Sequence, residues 1–238
     1  MNRGFHAWRH VFKLDPDRSI GDAELERVCL SGTDAVVVGG STGVTADNTL
    51  ELLGRIRRYP VDCALEISDP DAVAPGFDWY LVPVVLNAES ADWVTRKAQQ
   101  AVRRYGPLIP WDRLVPEGYI VLNADSAVAR LTRPETALGA EDVAAYAELA
   151  ERLFRFPIVY LEYSGVFGDM DVLRHVRKRL RSARLFYGGG VDGPDRAKEA
   201  AQWADTVVVG NAVYRDLERA LATVAAVGVR PGPGELPR

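Results

Sequence analysis

Residues 32–40, Gly32-Thr33-Asp34-Ala35-Val36-Val37-Val38-Gly39-Gly40, decide how this chain folds. Four apolar residues follow one another without the polar alternation of a strand that has one wet face, which is how a buried parallel strand reads. The stretch has an echo far downstream, Trp203-Ala204-Asp205-Thr206-Val207-Val208-Val209-Gly210-Asn211. Any two buried parallel strands look alike, so the echo fits either an internal repeat or chance.

Further β-rich runs fall at 9–14, 61–67, 79–85, 119–123, 158–163 and 184–187, and with 34–38 and 206–209 they make eight. Helix-like stretches at 22–30, 47–58, 90–105, 141–154, 169–181 and 194–203 fill gaps between them, and another at 214–225 follows the last run. One gap differs: Asp69-Pro70-Asp71 through Pro75-Gly76 is too short and too rich in proline for a full helix, and predicts an irregular crossover. Eight such units in 238 residues predict an α/β fold, a (β/α)8 TIM barrel modified where the third helix is missing or replaced. A doubly wound open sheet is the alternative, but it usually carries a Gly-x-Gly-x-x-Gly turn after its first strand. Here the first run passes instead into Lys13-Leu14-Asp15-Pro16-Asp17. One domain is expected over residues 1–228, with 229–238, which includes Arg230-Pro231-Gly232-Pro233-Gly234, as a flexible tail.

Composition narrows the function. Hydrophobic residues make up 47% and charged residues 26%, enough for a large core and a solvated surface. The net charge of −4 supplies no field to draw a polyanion, so nucleic acid is not an expected partner. No apolar run approaches the ~20 residues of a membrane span, and residues 1–10 lack the pattern of a secretory signal. Cys29 and Cys63 lie in apolar stretches, which leaves no disulfide framework and suits a reducing cytoplasm. His6, His10 and His175 are dispersed, without metal-ligand spacing, and receive no role. The basic run Arg174 to Arg181 reads as a solvated helix face, or as a patch drawn to an anionic membrane or diphosphate.

In a barrel the chemistry sits where strands end. The seventh run ends in Gly188-Gly189-Gly190 and the eighth in Gly210-Asn211-Ala212, each before a helix, so that backbone N–H groups and a helix dipole could cradle a phosphate. The sixth, Tyr160-Leu161-Glu162-Tyr163-Ser164-Gly165, puts Tyr160, Glu162 and Ser164 on one face and turns Leu161 and Tyr163 outward. A carboxylate inside a barrel needs a partner or a task, so Glu162 is either a general base toward a hydroxyl, with Tyr160 holding the substrate, or a structural acid paired with Lys13 or an arginine. Lys13 and Asp15 share a face at the end of the first strand. Lysine can meet a phosphate and Asp15 can hold Mg2+ on a diphosphate, with a plain ion pair as the blander alternative. Ser41, in Gly39-Gly40-Ser41-Thr42-Gly43, could reach the same metal or belong to a simple glycine turn.

Several blocks then occur in order: Phe12-Lys13-Leu14-Asp15-Pro16, Gly32-Thr33-Asp34 through Gly40-Ser41, Tyr160 to Gly165, Tyr187-Gly188-Gly189-Gly190, and Val209-Gly210-Asn211-Ala212-Val213-Tyr214. Together, over about residues 8–227, they resemble the geranylgeranylglyceryl and heptaprenylglyceryl phosphate synthase family, and within it the bacterial PcrB-like branch. The resemblance implies a modified TIM barrel lacking its third helix, often a homodimer. The implied reaction is Mg2+-dependent transfer of a prenyl group from its diphosphate to the C3 hydroxyl of sn-glycerol 1-phosphate. It assigns glycerol phosphate to Lys13, the stretch Tyr160-Leu161-Glu162-Tyr163-Ser164-Gly165, Gly189, Gly190, Gly210 and Asn211, and Mg2+ to Asp15 and Ser41. It also implies that long-chain members carry a small residue, here Ala101, where short-chain members carry a bulky Trp, which favours a heptaprenyl-like donor. A geranylgeranyl donor, another phosphorylated three-carbon acceptor such as 3-phosphoglycerate, and a non-catalytic phosphate-binding barrel remain as alternatives. Contact with a membrane is expected to be transient at most.

Overall fold

A computed structural model describes residues 4–228, so the expected tail at 229–238 lies outside the described residues. Eight parallel strands close in sequence order into a barrel: β1 (His10–Leu14), β2 (Ala35–Val38), β3 (Asp62–Glu66), β4 (Trp79–Val85), β5 (Leu114–Val121), β6 (Ile158–Glu162), β7 (Arg184–Gly188) and β8 (Thr206–Val209). The helices are α1 (Asp22–Cys29), α2 (Ala46–Ile56), α3 (Arg96–Tyr105), α4 (Ala127–Thr132), α5 (Ala140–Glu148), α6 (Met170–Arg179), α7 (Pro194–Ala201), α8 (Ala212–Arg215) and α9 (Leu217–Val227). Alternation sorts each strand into two cores. Phe12, Leu14, Val36, Leu65, Ile120 and Leu161 pack outward against the helices, while Val11, Val37, Ala64, Tyr119, Tyr160 and Phe186 fill the barrel.

The crossover between β3 and β4 holds only the single turn Pro70–Ala72, so the outer layer lacks a helix there, as the prolines predict. Other boundaries differ from expectation. β5 begins at Leu114, five residues before the run read from sequence, because Pro116, Glu117 and Gly118 mask it. The stretch 90–105 divides into a turn at Ala91–Trp93 and α3, and the last helical stretch divides at Asp216, whose side chain accepts from Arg219 N at 3.1 Å and starts α9 afresh. The short α4, capped by Ser126 onto Ala129 N at 3.1 Å, gave no sequence signal.

The echo between β2 and β8 has a physical content. The two strands flank β1, and the aspartate before each one latches the strand preceding it. Asp34 Oδ2 accepts from Arg9 N and His10 N at 2.7 and 3.0 Å, and Asp205 Oδ2 accepts from Leu185 N at 2.8 Å. Asp78, ahead of β4, does the same for β3, accepting from Cys63 N at 2.9 Å. Nearby, His10 is buried between two hydroxyls, with Nδ1 2.9 Å from Thr33 Oγ1 and Nε2 2.8 Å from Thr223 Oγ1. Burial pushes its pKa down to about 3, so it holds the barrel floor as a neutral ring.

Candidate active site

The carboxyl ends of β1, β6, β7 and β8 surround a cavity of about 290 Å3. Lys13, Tyr160, Glu162, Ser164, Gly165, Gly189, Gly190, Gly210 and Asn211 all line it, so the structure brings together residues read separately from four strand ends. Gly190 has φ +54°, and a Cβ there would lie 2.3 Å from Phe167 N, so only glycine fits this turn. Asn211 is oriented by Arg18, whose Nη1 donates to its Oδ1 at 2.8 Å while the guanidinium stacks 3.8 Å over the Tyr214 ring.

Two members of the β6 block stand apart from this cavity. Leu161 and Tyr163 point to the outer core, and neither lines the site. The two-residue strand period accounts for Leu161, and Tyr163 is held outside by packing against Gly189 and the Tyr187 ring. Both side chains face outward as the strand period predicts, so what this part of the stretch can offer a substrate is its backbone.

Glu162 is held at both oxygens. Tyr119 Oη donates to Oε2 at 2.6 Å, and Ser164 N donates to Oε1 at 2.5 Å. The Tyr119 and Tyr160 rings stack with centroids 4.6 Å apart, and burial together with the Glu162 carboxylate keeps both phenols far from ionising. Lys13 Nζ meets Glu66 Oε1 at 2.5 Å. Burial opposes the lysine's charge, but the Glu66, Glu162 and Glu117 carboxyls outweigh it and raise its pKa. Glu117 is fully buried with neither oxygen paired, and burial next to Glu66 pushes its pKa well above the usual range.

Glu66, Glu117 and Tyr119 were missed in the sequence. Glu66 ends the apolar run Cys63-Ala64-Leu65, the signal that singled out Glu162, whereas Glu117 was hidden with the first half of β5.

A second, larger cavity of about 1080 Å3 runs down the side of the barrel where the helix after β3 is missing. It exceeds the roughly 300–1,000 Å3 of ordinary small-molecule sites. Val82, Val84, Trp93, Val102, Ile109 and Leu131 give it an apolar lining, and Ala101 on α3 belongs to its wall. Gly40, Ser41, Glu66 and Tyr119 form its inner end. The two cavities therefore meet at two bonded pairs, Lys13 with Glu66 and Glu162 with Tyr119.

Asp15 lies beside Gly40, where a Cβ would come within 2.4 Å of its Oδ1. That oxygen accepts from Asp17 N at 3.0 Å, and burial raises the carboxyl's pKa. Among the described residues no group of three or more His, Cys, Asp or Glu could hold a metal by itself. Asp15, packed on Gly40, and Ser41, the next residue along that turn and part of the apolar cavity's lining, are a sparse set of hard oxygen donors, the kind that suits Mg2+ taking most of its ligands from phosphate and water.

Residues 4–228 match the PcrB family. The heptaprenylglyceryl phosphate synthase of Geobacillus kaustophilus (strain HTA426) is 56% identical over 221 residues, covering 93% of this chain and 92% of that protein. The protein of the same name from Anoxybacillus flavithermus (strain DSM 21510 / WK1) is 53% identical over 220 residues, covering 92% and 95%. Among solved structures, (S)-3-O-geranylgeranylglyceryl phosphate synthase from Thermoplasma acidophilum, in complex with its substrate sn-glycerol-1-phosphate, superposes with a TM-score of 0.81 at 24% identity, covering 95% of this chain and 94% of that one. At that identity the likeness speaks for the fold.

Proposed function

This chain belongs to the PcrB family, and from that membership we propose that it is a prenyltransferase that joins a long, heptaprenyl-like group to the C3 hydroxyl of sn-glycerol 1-phosphate. The observation that carries the reading is the shared wall between a small polar cavity and a long apolar one, with Glu162 on it. The names of the curated relatives support both the reaction class and a long donor.

The acceptor's phosphate takes the backbone N–H groups at Gly189, Gly190 and Gly210, with Lys13 as counter-charge. Lys13 then exchanges Glu66 for the phosphate in whole or part. The glycerol hydroxyl points at Glu162, whose two oxygens are fixed by Tyr119 and Ser164, so no orientational freedom remains to be lost in the transition state. As the C3 oxygen bonds to C1 of the donor, its proton passes to Glu162 and the bond from C1 to the diphosphate oxygen breaks. Asp15 and Ser41 would hold Mg2+, which supplies charge neutralisation for the departing diphosphate. The donor's tail lies along the apolar cavity with Ala101 in its wall.

The test is to combine protein, Mg2+, a ladder of prenyl diphosphates, and either sn-glycerol 1-phosphate or its 3-phosphate enantiomer, and to weigh the lipid products. Ether from the 1-phosphate alone, lost in Glu162→Gln and Asp15→Asn, supports the reading and gives the donor length. No ether from either enantiomer overturns it.

A further inference from the structure

Ten large hydrophobic side chains are exposed among the described residues, and five of them, Val73, Val102, Leu108, Trp111 and Leu131, line the rim of the apolar cavity. Leu108 and Trp111 project furthest, 81% and 59% exposed, from single turns at Gly106–Leu108 and Trp111–Arg113 between α3 and β5. No residue of α3 is buried. Half of the exposed large apolar side chains at one opening is a patch, where scattered ones would need no explanation.

Along the α3–α4 side, which carries four of the five rim side chains, the charge runs against that of the whole chain, while the crossover bearing Val73 is acidic. Residues 91–133 hold seven arginines and lysines against four acids, one of them the buried Glu117, in a chain of net charge −4. Arg96 is spent on Asp92 and Arg104 on Asp71, but Arg103, Arg130 and Arg133 have no ion-pair partner among the described residues. The basic run on α6 is different, since Arg174, Arg177 and Arg179 are taken up by Asp171, Asp205 and Glu141.

We propose that the rim formed by the turns at Gly106–Arg113, the last turn of α3, and α4 docks on an anionic lipid surface, with Leu108 and Trp111 entering the headgroup layer and Arg103, Arg130 and Arg133 facing the lipid phosphates. Tryptophan and leucine at an apolar tip ringed by unpaired cations suit a bilayer interface. Each such cation is drawn to the negative surface potential of an anionic bilayer. A second copy fits less well, because a two-fold contact would set this cationic rim against itself. Docked this way, the apolar cavity opens onto the bilayer and takes up its donor without exposing the tail to water. That last step rests on the prenyl-transfer reading, while the docking itself does not.

The test uses the full chain without substrate, sedimented with vesicles of phosphatidylcholine alone or mixed with phosphatidylglycerol. Expected is binding to the anionic vesicles only, weakened by salt, with partitioning reduced at least about tenfold in the double variant Arg103→Glu/Arg130→Glu. Leu108→Asp should lower it as well. Because Arg103 and Arg130 lie outside both cavities, ether formation from detergent-dispersed donor should persist in the double variant, which confirms its folding and reads the reaction separately from docking. Binding to neither vesicle, equal binding by the double variant, or a stable dimer that Leu108→Asp dissociates would each overturn the proposal.

Discussion

Tyr119 on β5 donates a hydrogen bond from its hydroxyl to Glu162 Oε2 across 2.6 Å, from the apolar cavity to the polar one. Oε1 meets Ser164 N, and the two bonds together fix the plane of the carboxylate where the polar and apolar cavities meet. On the prenyl-transfer reading Glu162 is the general base, and a base placed in this way contributes about 10^2–10^4 in rate.

Glu162→Gln should therefore lower kcat by that factor with little change in KM for the phosphate. Tyr119→Phe, which keeps the ring stack on Tyr160 and removes only the bond, should cost about tenfold in kcat. Steady-state ether formation checks both; a Tyr119→Phe enzyme with unchanged kcat would show that Ser164 alone orients the base.

Ala101→Trp fills the wall of the apolar cavity without touching the polar one. Competition between prenyl diphosphates of different length should shift the product distribution toward shorter chains, read by mass spectrometry. An unchanged preference would put the length limit elsewhere along the wall.

Glu117 gives a stability signature. Its carboxyl keeps a proton in the folded state that the unfolded chain releases above the usual glutamate range, so folding loses stability as pH rises from about 4.5 toward the raised folded value. Glu117→Gln removes this penalty. Its Tm should match the parent near pH 4 and exceed it by several degrees at pH 7, at roughly 2–4 °C per kcal/mol for a chain of this size. A lower Tm at pH 7 would mean that the carboxylate is ionised there and paired with Lys13.

His10 acts with the opposite sign. The unfolded ring takes up a proton near pH 6.5 and the folded ring only near 3, so stability falls as pH drops through that window, at about 1.4 kcal/mol per pH unit. Urea unfolding midpoints should decline between pH 6.5 and 4, and less steeply in His10→Gln even though that variant starts lower.

How much of this could be read in the sequence depended on whether a residue's environment agreed with its type. The runs Ala35–Val38 and Thr206–Val209 are apolar residues in apolar surroundings, and their strands appear where they were expected. The glycine turns after β7 and β8 were legible for a similar reason, since Gly190 adopts a backbone that few other residues can. Leu114 to Gly118 was not legible: Pro116 and a buried acid sit in a strand, and nothing local reveals that Glu117 points into a barrel. The division at Asp216 turned on a capping bond, which a smooth hydrophobic period conceals. Pairings such as Lys13 with Glu66, 53 residues apart, exist only once the barrel closes.

The gap in the outer layer between β3 and β4, beside an α3 that buries none of its residues, leaves one side of the barrel without a packed helix. A polyisoprenoid lying there would serve as the absent stave, burying the same strand faces that a helix would have buried. On the prenyl-transfer reading the empty protein is an unfinished core and the donor is in part a component of the fold, so that occupancy and thermal endurance should rise together.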